Sequence, residues 1–320
     1  MGRPSHPTIG VLMGGCSSER EVSLRSGTAV VEALKSIGHK VLPVDLRWED
    51  GRELDGLPLD VAFIALHGRF GEDGRLQRVL ANRGIPYTGS GPDASRAAMD
   101  KVEAKRLFKM KGVETPPHRV IARGDSVDLM EHAARALGYP VVMKPRAEGS
   151  SVGVTVHEDC ATLLDGAAEC FRHDPIGLME KFITGRELTV AILDGKALPI
   201  IEMKPKARFF SYDAKYRSPD TQYIVNPDLS ELDKRRIQKS AKDAHDVLGC
   251  EGMSRVDLIF TPLHSVHILE VNTIPGLTER SLLPKAARAA GIEFPQLCWK
   301  ITELAWKRKQ SGFWAAAAML

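Results

Sequence analysis

The sequence of 320 residues predicts a mixed fold of the α/β and α+β classes, and two features of the chain indicate it. The first hundred residues alternate strand-like and helical runs, which is typical of a doubly wound parallel α/β sheet. After a proline-containing connector at residues 114–118, some strands follow one another with no helix between them. This second pattern is typical of an α+β arrangement.

The N-terminal elements can be placed from their apolar periodicity. Strands are predicted at residues 8–13, 40–44 and 61–66, and helices at 19–36, 73–83 and 92–111. Ser18 and Glu21 have the spacing of a capping box at the start of the first helix. Ligands of such sheets bind beyond the carboxyl ends of the strands. Glu19 and His67 each follow a strand, so we expect them to meet in one crevice.

The rest of the chain carries further strands and helices around a long polar stretch at residues 205–229. A structureless run of this length is usually functional or disordered, and its aromatic and charged residues, including Phe209, Lys215 and Tyr216, favour an active-site lid. Strands are predicted at 119–122, 141–144, 152–156, 177–181, 187–193 and 198–204, and helices at 127–137, 161–171, 230–248 and 294–308.

Composition excludes several classes of protein. A net charge of +3 is too small to predict nucleic acid or a membrane surface as a partner, and the chain has no apolar run long enough to span a bilayer. The five cysteines are scattered and form no CxxC pair, which argues against a disulfide framework or a zinc site. We therefore expect a cytoplasmic protein.

Two short segments near the C-terminus predict a metal site. Arg255 and Asp257 share one face of a predicted strand, and Glu270 and Asn272 share one face of the next. A hairpin turning at residues 263–264 places Asp257 opposite Glu270 and Arg255 opposite Asn272. Opposed like charges destabilise a sheet unless a cation lies between them, and an all-oxygen set suits Mg²⁺. The alternative is a pair of solvated strand charges.

A glycine- and serine-rich loop after Lys144 predicts a phosphate site. Residues 148–153 read EGSSVG, so the backbone can approach an oxyanion while Lys144 supplies positive charge. The alternative is a glycine-rich hairpin without a ligand. Neither the P-loop pattern nor the spacing of dinucleotide-binding glycines occurs.

Together, these segments resemble the D-alanine–D-alanine ligases of the ATP-grasp superfamily. The resemblance extends over roughly residues 8–308, and many motifs occur in one order. They are residues 14–23 (GGCSSEREVS), 65–68 (ALHG), 71–74 (GEDG), 87–91 (YTGSG), 99–101 (MDK), 144–145 (KP), 148–153 (EGSSVG), 180–181 (EK), 213–218 (DAKYRS), 255–257 (RVD) and 270–278 (EVNTIPGLT).

The resemblance implies a division into three domains and a set of ligands. Residues 1–100 would form the N-terminal domain that binds substrate. Residues 101–185 and 186–320 would form the two parts of the ATP-grasp fold, with the lid at about 205–229. The ligands would be ATP, two Mg²⁺ ions (or Mn²⁺) and two molecules of D-alanine.

The resemblance also implies a role for individual residues. Nucleotide would be bound by Lys101, Lys144, Ser151, Glu180, Lys181, Ile183, Glu187, Phe209 and Lys215, and the metal ions by Asp257, Glu270 and Asn272. The first D-alanine would be bound by Glu19 with His67 and Ser150 nearby, the second by Ser281 and Leu282, and the oxyanion by Arg255 and the Gly276 N–H. Tyr216 in the lid would bond towards Ser150.

The implied activity is the ATP-dependent ligation of two D-alanine molecules, through a D-alanyl phosphate, for peptidoglycan precursors. Homodimers are typical of the family. A D-alanine–D-lactate ligase and another carboxylate–amine ligase are the alternatives among enzymes, and a non-catalytic nucleotide-binding regulator is the alternative of another class. Residues 278–281 (TERS) depart from the frequent family pattern TSHS, which changes the charge beside the second substrate site.

Overall fold

The computed structural model describes residues 7–204 and 221–310, with side chains up to residue 308. Within these ranges the strands form three sheets. Residues 205–220, which include most of the predicted lid with Phe209, Lys215 and Tyr216, lie outside the described part of the chain.

The first sheet is parallel, which confirms the prediction from the strand and helix alternation. It contains β1 (Thr8–Gly14), β2 (Lys40–Leu46) and β3 (Val61–Ile64) in the order β2-β1-β3. Because strands are added on opposite sides of β1, a switch point lies between β1 and β3, and ligands usually bind at such a point.

The first helix, α1 (Arg20–Ser36), starts without the predicted capping box. Glu19 occupies the N-cap position but its side chain makes no capping hydrogen bond. The Ser17 hydroxyl instead accepts a hydrogen bond from the Glu19 backbone N–H at 3.2 Å. The prediction from Ser18 and Glu21 is therefore wrong, and the Glu19 carboxylate is available for the crevice.

The single helix predicted at residues 92–111 is two helices, α3 (Pro92–Met99) and α4 (Lys101–Met110). They follow α2 (Arg75–Asn82). Asp100 has an extended backbone, and its carboxylate accepts hydrogen bonds from the N–H groups of Val102 and Glu103. Asp favours N-caps over helix interiors for this reason, so Asp100 ends one helix and begins the next.

We expect Asp100→Ala to lower the free energy of unfolding by about 2 kcal/mol, the upper end of a capping contribution. The reason is that two helix N–H groups and the Arg146 guanidinium would lose their acceptor. Urea-induced unfolding would measure the change. Asp159→Ala is the matched control, because Asp159 caps only the exposed turn Cys160–Thr162. Equal losses in the two variants would contradict this account of α4.

The second sheet is antiparallel and has the order β4-β7-β5-β6. Two helices, α5 and α6, pack against it. The ranges are β4 (His118–Ala122), α5 (Val127–Leu137), β5 (Val141–Pro145), β6 (Thr155–His157), α6 (Leu163–His173) and β7 (Ile176–Lys181).

The strand predicted at residues 152–156 is shorter than expected. Ser150 and Ser151 have positive φ angles of 53° and 59°, so the chain still turns there, and β6 begins only at Thr155. Non-glycine residues in the left-handed region are uncommon and often occur at functional sites.

The third sheet pairs its strands antiparallel in the order β11-β10-β8-β12-β13, with β9 beside β8. The helix α7 packs against this sheet, whereas α9 packs against α1 and β3 of the N-terminal unit. The ranges are β8 (Arg186–Leu193), β9 (Lys196–Ala197), β10 (Ile201–Lys204), β11 (Gln222–Val225), α7 (Glu231–Val247), β12 (Met253–Phe260), β13 (Val266–Asn272), α8 (Leu282–Ala289) and α9 (Phe294–Gln310).

Three of these elements were not predicted, and the first is the two-residue strand β9. The strand β11 lies within the stretch at residues 205–229 that was expected to be structureless, and it pairs with β10. The short helix α8 follows the loop after β13. Its three alanines favour a helix, and its proline lies in the first turn, where no intrahelical N–H bond is lost.

The predicted register of the β12–β13 hairpin is confirmed where it concerns the site. Asp257 pairs with Glu270 and Arg255 with Asn272. Next to them the register shifts by one residue, since Leu258 pairs with Ile268 and Leu269 is the extra residue of a bulge. Leu269 and Glu270 consequently line the same cavity, which strict alternation would not allow.

No helix in the described part of the chain is long and apolar enough to cross a membrane.

Candidate active site

A cavity of about 750 Å³ opens where the N-terminal sheet faces β13 and the start of α8. It lies beyond the carboxyl ends of β1 and β3, as the switch point predicts. The residues predicted for amino-acid binding that line it are Glu19, His67, Ser150, Arg255, Gly276, Ser281 and Leu282.

Glu19 and Ser150 meet in this cavity although 131 positions separate them. The Ser150 hydroxyl donates to Glu19 Oε1 at 2.5 Å. Ser150 stands in the loop between β5 and β6, so this hydrogen bond connects the N-terminal unit to the second sheet. A carboxylate at this position can accept hydrogen bonds from the ammonium group of an amino acid.

His67 is buried and is held by three groups around its ring. Its Nε2 lies 3.0 Å from Ser26 Oγ, and its Nδ1 lies 3.2 Å from the Ile274 carbonyl oxygen and 3.3 Å from Glu72 Oε1. A carbonyl oxygen only accepts, so Nδ1 donates to the Ile274 carbonyl oxygen. His67 therefore joins the N-terminal crevice to the loop that follows β13.

Glu72 is a site residue to which sequence reasoning gave no role, although it lies in the GEDG motif. It lines the cavity beside His67. Burial raises the pKa of its carboxyl group and the nearby Glu19 carboxylate adds to this, while the His67 hydrogen bond works in the opposite direction. Its burial depends on the loop after β3, which has no periodicity from which orientation can be read.

The start of α8 forms the far wall of the cavity. Ser281 is the N-cap residue and Leu282 the first helical residue, so the free N–H groups of this turn and the positive end of the helix dipole lie beside the cavity. A side chain at Gly276 would place its Cβ 2.9 Å from Ser281 Oγ, which explains the glycine there. An amino-acid carboxylate suits such a position.

A second cavity, of about 630 Å³, lies between the second and third sheets. It is lined by every described residue that was predicted to bind nucleotide: Lys101, Lys144, Ser151, Glu180, Lys181, Ile183 and Glu187. The aromatic Phe182 also lines it, beside apolar side chains from both sheets. An apolar cleft with lysines at one end suits a base and its phosphates.

A buried cluster of charges closes the lysine end of this second cavity. Glu180 Oε1 lies 2.8 Å from Lys144 Nζ and 3.0 Å from Lys105 Nζ. Burial by itself would raise the pKa of Glu180, but the two lysines outweigh it and hold the pKa at about 2. Burial also lowers the pKa of Lys105 to about 8. Sequence reasoning missed Lys105, since a lysine on a helix is usually solvent-exposed.

The two cavities share Lys101, Glu148 and Glu270. Lys101 Nζ lies 3.9 Å from Glu270 Oε2 and also donates to the Glu148 carbonyl oxygen. Burial lowers the pKa of Lys101, and Glu270 works in the opposite direction. A cation and a carboxylate thus lie where the contents of the two cavities would meet.

The predicted metal ligands are two carboxylates and an amide on adjacent strands. Asp257 and Glu270 line the nucleotide-side cavity, and Glu270 and Asn272 line the other. In the described ranges, no group of three or more His, Cys, Asp or Glu side chains could hold a metal ion by itself. The donor set fits Mg²⁺ nevertheless, because this ion usually takes one or two carboxylates and completes its shell with phosphates and water.

Asp257 also makes protein contacts that fix its position. Its Oδ1 accepts from Arg255 Nε at 2.9 Å and from the Thr189 hydroxyl at 2.6 Å, and its Oδ2 accepts from Arg255 at 2.7 Å. The pair with Asp257 orients the Arg255 guanidinium, which also lines the amino-acid cavity.

Comparison with known proteins gives one consistent result. Residues 107–303 match the family described as D-ala D-ala ligase C-terminus, and residues 47–90 the family described as D-ala D-ala ligase N-terminus. A D-alanine–D-alanine ligase from Syntrophotalea carbinolica is 45% identical over 301 residues, which cover 94% of this chain and 97% of the relative.

Solved structures agree with this result. A D-alanine–D-alanine ligase from Bacillus anthracis, complexed with ATP, is 34% identical with a TM-score of 0.85 and covers 95% of this chain and 99% of its own. A D-Ala:D-Ser ligase from Enterococcus faecalis is 28% identical with a TM-score of 0.82 and covers 94% of this chain and 100% of its own.

Proposed function

The chain belongs to the family of D-alanine–D-alanine ligases, and from this premise we propose how its two cavities carry out the ligation. The enzyme is an ATP-dependent ligase that joins two D-alanine molecules into the dipeptide of peptidoglycan precursors. Its fold is the ATP-grasp fold of that family. The observation that carries the proposal is that the nucleotide cavity and the amino-acid cavity meet at Lys101 and Glu270.

In the first step, the carboxylate of one D-alanine attacks the γ-phosphorus of ATP, and ADP leaves. A carboxylate is a poor electrophile, so the resulting D-alanyl phosphate activates it. Glu19 binds the ammonium group of this D-alanine, and its hydrogen bond with Ser150 fixes the carboxylate. Placing the reacting groups together accounts for much of the acceleration in such reactions.

The nucleotide is bound along the second cavity. Glu180, the Lys181 backbone and Ile183 contact the base beside Phe182, and Glu187 binds the ribose. Lys101 and Lys144 bind phosphate oxygens and offset the charge that develops during transfer. Lys215 lies outside the described ranges, and by sequence alone it would be a third lysine at the phosphates.

Asp257, Glu270 and Asn272 are the residues that would hold two Mg²⁺ or Mn²⁺ ions. When bound, such ions polarise the phosphoryl oxygens and neutralise their charge. The support for this assignment is the pairing of Asp257 with Glu270 on neighbouring strands, which otherwise opposes like charges.

In the second step, the amine of the other D-alanine attacks the acyl carbon, and phosphate leaves. Ser281 and the Leu282 N–H bind the carboxylate of this second substrate at the start of α8. Arg255 and the Gly276 N–H donate to the oxyanion of the tetrahedral intermediate. One such donor typically contributes about 3–4 kcal/mol.

The assignment of Glu19 can be tested by substitution. We expect Glu19→Gln to raise the KM for the first D-alanine by about tenfold or more, since a charge-assisted hydrogen bond becomes a neutral one. The affinity for ATP should stay unchanged, because Glu19 lines only the amino-acid cavity. Steady-state kinetics and equilibrium binding would measure both. Glu21→Gln, at an exposed position of the same helix, is the control. A Glu19 variant with normal kinetics would contradict the assignment.

The acceptor is tested by the products. The enzyme is incubated with ATP, Mg²⁺ and D-alanine, either alone or with D-lactate, D-serine or L-alanine added in separate mixtures. We expect mass spectrometry to detect D-alanyl-D-alanine as the product of every mixture. A depsipeptide or a D-alanyl-D-serine product would identify another acceptor. The D-Ala:D-Ser ligase shares this fold at 28% identity, so the fold alone does not select the acceptor.

The proposal extends to the setting of the enzyme. The enzyme is located in the cytoplasm, where ATP and D-alanine are available. It forms a homodimer, as is typical of the family. Its domains divide at residues 100 and 185. Light scattering on the purified protein measures the mass of the assembly, and a monomer at micromolar concentration would contradict the dimer.

A further inference from the structure

Lys105 is a buried lysine behind the nucleotide cavity that the mechanism above does not use. It is one turn after Lys101 on the same face of α4, and its side chain is 1% exposed. The two lysines diverge at their tips. Lys101 reaches towards Glu270, and Lys105 reaches Glu180 at 3.0 Å. A buried ammonium group is costly unless it is paired and hydrogen-bonded, and Lys105 meets both conditions.

The charges around Glu180 do not cancel. One carboxylate oxygen, Glu180 Oε1, lies within 3.0 Å of both Lys105 and Lys144. One negative and two positive charges leave a net charge of +1 on these three groups alone. Lys105 does not line the cavity, whereas Lys144 does, so the excess positive charge is presented to the cavity by Lys144.

Lys105 also connects the second sheet to the strand that carries Glu270. Its ammonium group donates to Thr115 Oγ1 at 2.5 Å, and Thr115 donates to the Ile268 carbonyl oxygen in β13 at 2.8 Å. The Ile268 N–H donates to the Glu114 carbonyl oxygen at 2.8 Å. The ammonium group is therefore fixed from both walls of the cleft.

We infer that Lys105 is a positioning residue for nucleotide binding, which neutralises Glu180 so that the charge of Lys144 remains available to the phosphates. Without Lys105, Glu180 and Lys144 would form a neutral ion pair, and Lys144 would be drawn away from an incoming phosphate. This inference rests on the proposed binding of ATP in the second cavity. The pKa of Lys105, about 8, keeps most of the group protonated at neutral pH.

The test compares ligands with and without phosphates. We expect Lys105→Met to weaken the binding of ATP and ADP by about tenfold or more, the size of a lost charged contact. Binding of adenosine, which has no phosphate, should stay within about twofold of the wild type, a difference well below one charged contact. The KM for D-alanine should likewise be unchanged. Isothermal titration calorimetry measures the affinities, and steady-state kinetics measures the KM.

Two further variants make the result decisive. Lys109→Met, one turn later on α4 and exposed, is the matched control and should bind all three ligands normally. If Lys105→Met does not fold, Lys105→Gln replaces it, because the amide is polar and has no charge. The same selective loss of ATP affinity is expected.

Each outcome decides the matter. Unchanged ATP affinity in a folded Lys105 variant would overturn the inference, and so would an equal loss for adenosine and ATP, which indicates a purely structural role. Failure of the wild-type protein to bind ATP would instead overturn the proposed function.

Discussion

Glu270→Gln is expected to reduce dipeptide formation by at least about 100-fold, the effect of losing several kcal/mol of charge stabilisation. Glu270 lines both cavities and is paired with Asp257 across the hairpin. The amide keeps the shape of the side chain but loses its charge. Coupled measurement of ADP release gives the rate, and mass spectrometry confirms the product.

The fold should survive this substitution. The Glu270 side chain is 29% exposed, so an amide there is not left buried without water. Asp257 keeps its ion pair with Arg255 and loses a repulsive neighbour. We expect the midpoint of thermal unfolding to be unchanged or slightly raised. Glu293→Gln, at an exposed position outside both cavities, is the control, and a fully active Glu270→Gln enzyme would refute the metal assignment.

Arg255→Lys should lower kcat by about 100- to 1,000-fold, as removal of an oxyanion donor does in other acyl transfers. A lysine can still pair with Asp257, so the buried carboxylate is not left without a cation. It cannot reproduce the two parallel hydrogen bonds of the guanidinium, or its reach into the amino-acid cavity.

Isotope exchange separates the two steps for this variant. Reversible formation of the acyl phosphate moves labelled oxygen between bridging and non-bridging positions of the β-phosphate of ATP. We expect this exchange to persist in Arg255→Lys while dipeptide formation falls, because Arg255 acts mainly after the transfer. Arg288→Lys, on the exposed side of α8, is the control. Loss of exchange in proportion to the dipeptide would place Arg255 in the first step instead.

The hairpin register shows what sequence reasoning can establish. A turn at residues 263–264 predicts the pairings of Asp257 with Glu270 and Arg255 with Asn272, and both are observed. Nearer the turn, Phe260 pairs with Val266, which is one residue away from the predicted register. The bulge at Leu269 was not predicted, although the adjacent apolar residues Ile268 and Leu269 interrupt the alternation of β13. The crevice at Glu19 and His67 followed from topology, which sets where loops converge.

Other features depended on tertiary contacts. The helix at residues 92–111 is divided at Asp100 because its carboxylate caps α4 and pairs with Arg146, 46 positions away. The capping box failed because α1 begins one residue later than predicted, with Glu19 rather than Ser18 at the N-cap position. Lys105 and Glu72 were missed because burial of a charged group depends on partners that are remote in sequence.

The most direct test is a crystal structure of the enzyme with an ATP analogue, Mg²⁺ and D-alanine. The account predicts metal ions bound by Asp257, Glu270 and Asn272 between the phosphates and the D-alanine carboxylate, with the nucleotide in the cavity beside Lys144 and Glu180. Ordered nucleotide elsewhere, or metal ions that leave these three side chains without contact to the phosphates, would contradict it.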